Sequence, residues 1–192
     1  MKQFIISLLL IYIILVSKTN VQAQQNKVMG IFNSANDFKS GVFSKKINCN
    51  AENKIKVDVF LNSSDIIVKE NGVKTKIKKS TIYGYQNSLN ENFRFYNNTE
   101  YMIIDTGKVY LYTEYHYENP GNGTGGMVKV EKIHFSVSTS SEILPFTKEF
   151  ILKSFPESNK LRMWLFNSAS KVGDLLQKDN NGKLLIQNLV NS

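Results

Sequence analysis

The sequence predicts an α+β fold: an antiparallel meander of about seven to eight strands packed by C-terminal helices, following a cleaved signal peptide. Three observations carry this reading. Met1 to Ala23 has the layout of a secretory leader. From Lys54 to Val137, β-branched and aromatic residues alternate with polar ones, and Gly or Asn punctuates the runs, as in strands joined by turns. After Ser141 the apolar period lengthens to that of a helix. No internal repeat or low-complexity linker interrupts the chain. Residues 24–192 therefore read as one domain, mainly β over 24–140 and mainly helical over 141–192.

The leader comes first. Met1-Lys2 supplies a positive start, and Phe4 to Val16 is an almost unbroken apolar run of 13 residues. Ser17 to Gln22 is largely polar, and Val21-Gln22-Ala23 places small side chains at the two positions a signal peptidase reads. A membrane-spanning helix needs roughly 17–25 residues, and Lys18 closes this run early. No cysteine lies just past the run, which argues against a lipid anchor, and no later segment is long and apolar enough to span a bilayer. The expected location is extracytoplasmic, periplasmic or secreted, with cleavage after Ala23.

The remaining elements follow in order. Asn33-Ser34 ahead of Asp37 is capping chemistry for a short helix around Ala35 to Lys39, ended by Gly41. Strands are expected at Lys54–Phe60, Ile66–Glu70, Val73–Lys79, Thr81–Gln86, Asn92–Tyr96, Glu100–Asp105, Lys108–Tyr117 and Met127–Val137. Pro145-Phe146-Thr147 opens a helix running to Phe155 and stopped by Pro156. Ser158 caps a longer helix with Leu161, Trp164, Leu165, Val172, Leu175 and Leu176 near one face, weakened by Gly173. Lys183 to Val190 reads as helix or strand.

Two hairpins have registers that side-chain parity can test. Asn71-Gly72 is a strong two-residue turn. Pairing Glu70 with Val73 places Ile66, Val68, Thr75 and Ile77 on one face and Ile67, Lys69, Lys74, Lys76 and Lys78 on the other. Around Gly121, pairing Tyr117 with Met127 aligns Tyr115 with Lys129 and Leu111 with Ile133. A turn at Thr106-Gly107 then adds Ile104 and Met102 to that apolar face. The opposite face holds Tyr101, Ile103, Tyr110, Tyr112, Glu114, His116 and His134.

Charge is unevenly spread. The 192-residue chain carries +8, and loss of Lys2 and Lys18 with the leader lowers this to +6. Gln24 to Lys79 has 11 lysines against five acids, whereas Ser80 to Ser192 balances 11 basic residues with 11 acidic ones. An anionic partner would meet the first third of the mature chain. Cys49 is the single cysteine, so no internal disulfide forms, and it is assigned no catalytic role.

Most chemistry-bearing patterns resolve to plainer readings. In the sequence register His116 and His134 share a face but stand about six residues apart, roughly 20 Å, so one ion cannot bind both. His116 with Glu114 is a candidate acid–base pair. The glycine-rich segment from Pro120 to Gly126 has strands on both sides and lacks the helix that a phosphate cradle needs. Asp179-Asn180-Asn181-Gly182 resembles the middle of a calcium loop, but Gln177 and Asn188 occupy positions that require carboxylates. No catalytic residue, metal ligand or cofactor is assigned, and enzyme activity stays open.

Once the strand layout is set out, Gly30-Ile-Phe, Asp37-Phe38, Thr81-Ile-Tyr-Gly-Tyr85, Tyr110-Leu-Tyr112 and Phe155-Pro156 together resemble a group of uncharacterised exported proteins of Bacteroidota-type bacteria. The resemblance is diffuse, covers most of the mature chain, implies a Gram-negative envelope or secreted setting and supplies no site residues.

The functional expectation is a non-catalytic, exported or envelope-associated binding protein. Lys69, Lys74, Lys76 and Lys78, with Lys79 nearby, would contact an anionic partner such as an envelope component. Nucleic acid is not expected, because the mature chain has only Arg94 and Arg162 and neither lies in this hairpin. The alternative is an exported hydrolase using Glu114 and His116, or a lipid- or glycan-binding sheet, in a groove lined by Tyr110 and Tyr112. N-terminal sequencing of the exported protein should read Gln24-Gln25-Asn26. A mature chain still beginning at Met1 would overturn the cleavage assignment.

Overall fold

The computed structural model describes residues 27–58, 63–119, 121, 126–167 and 170–190. The leader and its cleavage site lie outside these residues, as does the end of the strand expected to reach Phe60. The fold is α+β, built on an antiparallel sheet. Among the described residues eleven strands form two sheets, more than the seven to eight expected. They are β1 (Val28–Phe32), β2 (Lys45–Asn48), β3 (Lys54–Val57), β4 (Asp65–Glu70), β5 (Val73–Lys78) and β6 (Gly84–Gln86), then β7 (Asn92–Tyr96), β8 (Thr99–Thr106), β9 (Tyr110–Glu118), β10 (Val128–Ser136) and β11 (Leu144–Pro145). The helices are α1 (Ala35–Ser40), α2 (Lys148–Ser154), α3 (Asn159–Phe166) and α4 (Leu185–Leu189), with a 3-10 segment at Val172–Leu176.

The larger sheet has the order β11-β10-β9-β8-β7-β6-β1-β2, and the smaller β3-β4-β5. The expected single meander is divided: β6 to β10 run as a meander in the larger sheet, while β3, β4 and β5, expected as its first strands, form the smaller sheet. The additions are β1 and β2, which close one edge through a β1–β6 pairing distant in sequence, and the short β11 at the other edge. Gly84 is required where β6 meets β7, because a Cβ there would overlap the Phe93 carbonyl.

One cross-strand row orders the larger sheet. Ile31 faces Tyr85, Tyr85 faces Phe93, Phe93 faces Met102, Met102 faces Thr113, and Thr113 faces Ile133. Successive side chains alternate faces, so Met29, Phe95, Leu111 and Phe135 share this side. Two different covers bury it. The smaller sheet lays Ile66 and Val68 over Met29, Ile31, Ile47, Tyr85 and Phe95. The C-terminal helical segments lay Ile151, Leu161, Leu165, Leu175 and Ile186 over Val109, Leu111 and Phe135.

Local chemistry explains the helices. Ser34 and Asp37 form the reciprocal capping box expected for α1, and Gly41 ends it in the left-handed conformation at φ 65°. Pro145 belongs to β11, so α2 starts later than expected, capped by Thr147. The long helix expected after Ser158 is interrupted, giving α3 and the separate 3-10 segment. The Ser158 hydroxyl donates instead to the Leu189 carbonyl at 2.7 Å and ties α3 to α4. Gln187 of α4 grips the β8–β9 turn. Its amide nitrogen donates to Val109 O at 2.6 Å and Asp105 Oδ2 at 2.7 Å, and its oxygen accepts from Val109 N at 3.0 Å.

The Asn71-Gly72 register is as expected, with Glu70 opposite Val73. The β9–β10 register differs by two residues: Tyr117 faces Lys129, and Leu111 faces Phe135. A shift of two preserves every face assignment. In β8, an irregularity between Ile103 and Asp105 sends Ile104 off the apolar face, 43 % exposed, and puts Asp105 opposite Leu111.

Ile66 is fully buried between the two sheets. Ile66→Ala should cost about 2–5 kcal/mol of unfolding free energy, measured by urea denaturation. A variant as stable as the native protein would show that the smaller sheet does not share this core.

Candidate functional site

The outer face of the smaller sheet is richer in lysine than the hairpin alone suggests. Lys54 pairs across the ladder with Lys69, and Lys69 with Lys74. One step along, Lys56 faces Ile67, and Ile67 faces Lys76; beyond them Asp65 faces Lys78. Six lysines thus share the face opposite Ile66 and Val68, and Asp65 is the only acid on it within these strands. Lys54, Lys56, Lys74, Lys76 and Lys78 are exposed, and Lys69, on the central strand, is half-buried. Neighbouring strands lie about 4.8 Å apart, inside the screening length of about 8 Å in physiological salt. The charges therefore act together. Lys79 does not belong to this face: it is buried, its Nζ donates to Asn98 O at 2.9 Å, and burial lowers its pKa.

The second candidate set lies on the other side of the larger sheet. Tyr112 is fully buried, and its hydroxyl pairs with Ser136 Oγ at 2.8 Å; Tyr110 beside it is half-buried. Glu114 and His116 are not brought together as an acid–base pair. His116 Nε2 lies 2.6 Å from Glu118 Oε1, while Glu114 Oε2 lies 3.3 Å from His134 Nε2. His134 is buried, and burial pulls its pKa down against the opposing effect of Glu114. His116 faces Val130, four residues from His134, so the two backbone positions stand roughly 14 Å apart along the strand.

Tyr112 instead helps to hold Arg94. That guanidinium is buried with the rings of Tyr83, Tyr96 and Tyr112 at 5.4, 5.5 and 5.8 Å. Its terminal nitrogens donate to Tyr112 Oη at 3.1 Å and Ser141 O at 2.7 Å. The arrangement fastens the segment after β10 onto the sheet.

A cleft opens on the apolar side, where neither cover reaches. Phe93, Met102, Thr113, Tyr115 and Tyr117 line it with Glu91, Glu100 and Lys129, enclosing about 390 Å³. The Tyr85 hydroxyl donates to Glu100 Oε1. Burial raises the Glu100 pKa, opposed by that hydrogen bond and by the charge of Lys79. Lys129 Nζ lies 3.6 Å from the centre of the Tyr115 ring.

Sequence reasoning found four of the six lysines. Lys54 and Lys56 alternate with Ile55 and Val57, which is a strand signal, but no turn motif announces that β3 pairs with β4. The cleft was also missed, because the depth of Glu100 depends on where the two covers stop. Asp179 closes a turn, accepting from Asn181 N at 2.8 Å and Lys183 N at 2.9 Å. Among the described residues no helix is long and apolar enough to cross a membrane. Compared with known proteins, the chain matches no family model, no curated protein and no solved structure.

The raised pKa of Glu100 makes a signed prediction. A carboxyl whose folded-state pKa exceeds its unfolded value near 4.5 favours the fold most below that value. The contribution is lost as pH rises through the folded value. Glu100→Gln should therefore gain stability relative to the native protein between about pH 4 and about pH 7. Urea denaturation at both pH values checks this, and a constant or reversed difference would contradict it.

Proposed function

We propose that this is an exported, non-catalytic binding protein that engages an anionic component of the cell envelope through the lysine face of β3, β4 and β5. One observation carries the reading: the row Lys54–Lys69–Lys74, three like charges in direct cross-strand register. Like charges placed opposite one another destabilise a sheet. Protection against edge pairing needs charge only on an edge strand, whereas Lys69 stands on the central one. An anionic partner offsets the repulsion and gives the row a use. The leader-like N-terminus and the net charge of the first third of the mature chain support the same reading.

The test uses two charge-matched variants. Lys54→Gln, Lys69→Gln and Lys74→Gln together should weaken binding to phosphatidylglycerol-containing vesicles by about a hundredfold, at about 1 kcal/mol per lysine near an anionic surface. The salt dependence of binding should flatten as well. Lys108→Gln, Lys153→Gln and Lys160→Gln together remove the same charge elsewhere and should change binding by no more than a fewfold. Equal losses in both variants would reduce the effect to net charge and overturn the assignment.

A further inference from the structure

The cleft between the two covers has a composition suited to a different ligand. Its floor is aromatic and aliphatic, from Phe93, Met102, Tyr115 and Tyr117, and its volume of about 390 Å³ falls in the range of small-molecule sites. Its charged groups are mainly acidic. Glu91 and Glu100 line it, and Glu131 stands directly across the ladder from Tyr115. Each carboxylate is held by a neutral donor: Glu91 by Asn87 Nδ2 at 2.6 Å, Glu100 by the Tyr85 hydroxyl and Glu131 by Thr113 Oγ1 at 3.2 Å. Among the described residues, none of the three forms an ion pair. The nearby ammonium of Lys79 is bound to Asn98 O and sits over Phe95, 5.5 Å from the ring centre.

Among the described residues, the one cation lining the cleft, Lys129, shows what the rings accept. The Lys129 ammonium rests on the face of Tyr115, the geometry by which an aromatic ring binds an organic cation. Glu131 and Glu91 reinforce it: after burial, their charges are the forces that raise the Tyr115 pKa. A neutral sugar is a poorer fit, because it would leave the carboxylates of the cleft without a complementary charge.

We propose that the cleft binds an aliphatic primary amine, with the stem over Phe93 and Tyr117 and the ammonium displacing that of Lys129 from the face of Tyr115, on the side of the sheet that carries Glu91, Glu100 and Glu131. Lys129 is then a built-in competitor that the ligand displaces. This site differs from the lysine face in location and in the sign of its partner's charge.

The probes are pentylamine and 1-pentanol, equal in stem length and different in charge, titrated into the isotopically labelled protein and followed by amide NMR shifts. Pentylamine should saturably shift Thr113, Tyr115 and residue 129, while pentanol should not. Lys129→Gln removes the competitor and should tighten pentylamine binding by several-fold. Glu91→Gln with Glu131→Gln, both at exposed positions, should weaken it by about tenfold, the scale of two surface ion pairs lost together. Equal binding of pentanol, unchanged or weaker amine binding in Lys129→Gln, or unaltered binding in the double glutamate variant would each overturn the proposal.

Discussion

An eight-stranded sheet with one continuous apolar face is the constraint on which the rest of this structure depends. The row from Ile31 through Tyr85, Phe93, Met102 and Thr113 to Ile133 crosses six strands without changing sides. Burying apolar surface is worth about 25 cal/mol per Å², so leaving that whole face wet would forfeit much of the folding energy. The chain covers it from two sources. A three-stranded sheet inserted between β2 and β6 takes one end, and the C-terminal helical segments take the other. Each cover is short, and the strip between them stays open.

The reverse face is closed by another kind of interaction. Arg94 is buried there, and its charge is distributed over three tyrosine rings, the Tyr112 hydroxyl and the Ser141 carbonyl. Tyr101 adds burial, which pushes its own hydroxyl pKa up to about 12. A buried cation missing one of these partners would be strongly destabilising. Tyr112, one of the two tyrosines that suggest a ligand groove in the sequence, acts here as a ring and hydroxyl partner of Arg94. Sequence composition does not separate these roles, since a ring stacked on a ligand and a ring stacked on Arg94 have the same residue type.

What the sequence made legible was local. Ser34, Asp37 and Gly41 announced α1, and Asn71-Gly72 set the β4–β5 register and with it the common face of four lysines. Face assignments in β9 and β10 also held, although the pairing is displaced by two residues. A two-residue slip leaves every side chain on its own face, so hydrophobic alternation is blind to it. The non-local parts were not legible. β1 finds one of its partners, β6, more than fifty residues away, and Gly30 interrupts its apolar run at the place where the Phe43 ring packs. The irregularity at Ile104 and the break after α3 likewise depend on how distant elements meet.

The two surfaces proposed for binding both follow from the way the large sheet is covered. A cover made of one sheet layer has a second face, which must be solvated, and here it carries six lysines against one acid, Asp65, rather than a balanced mixture of signs. Two covers that fail to meet leave a cleft, and here its free charges are mostly carboxylates beside aromatic rings. Solvation alone would be met by alternating charges, which also avoid direct like-charge pairs. The predominance of one sign on each surface is instead the arrangement expected where a complementary charge arrives from outside the chain.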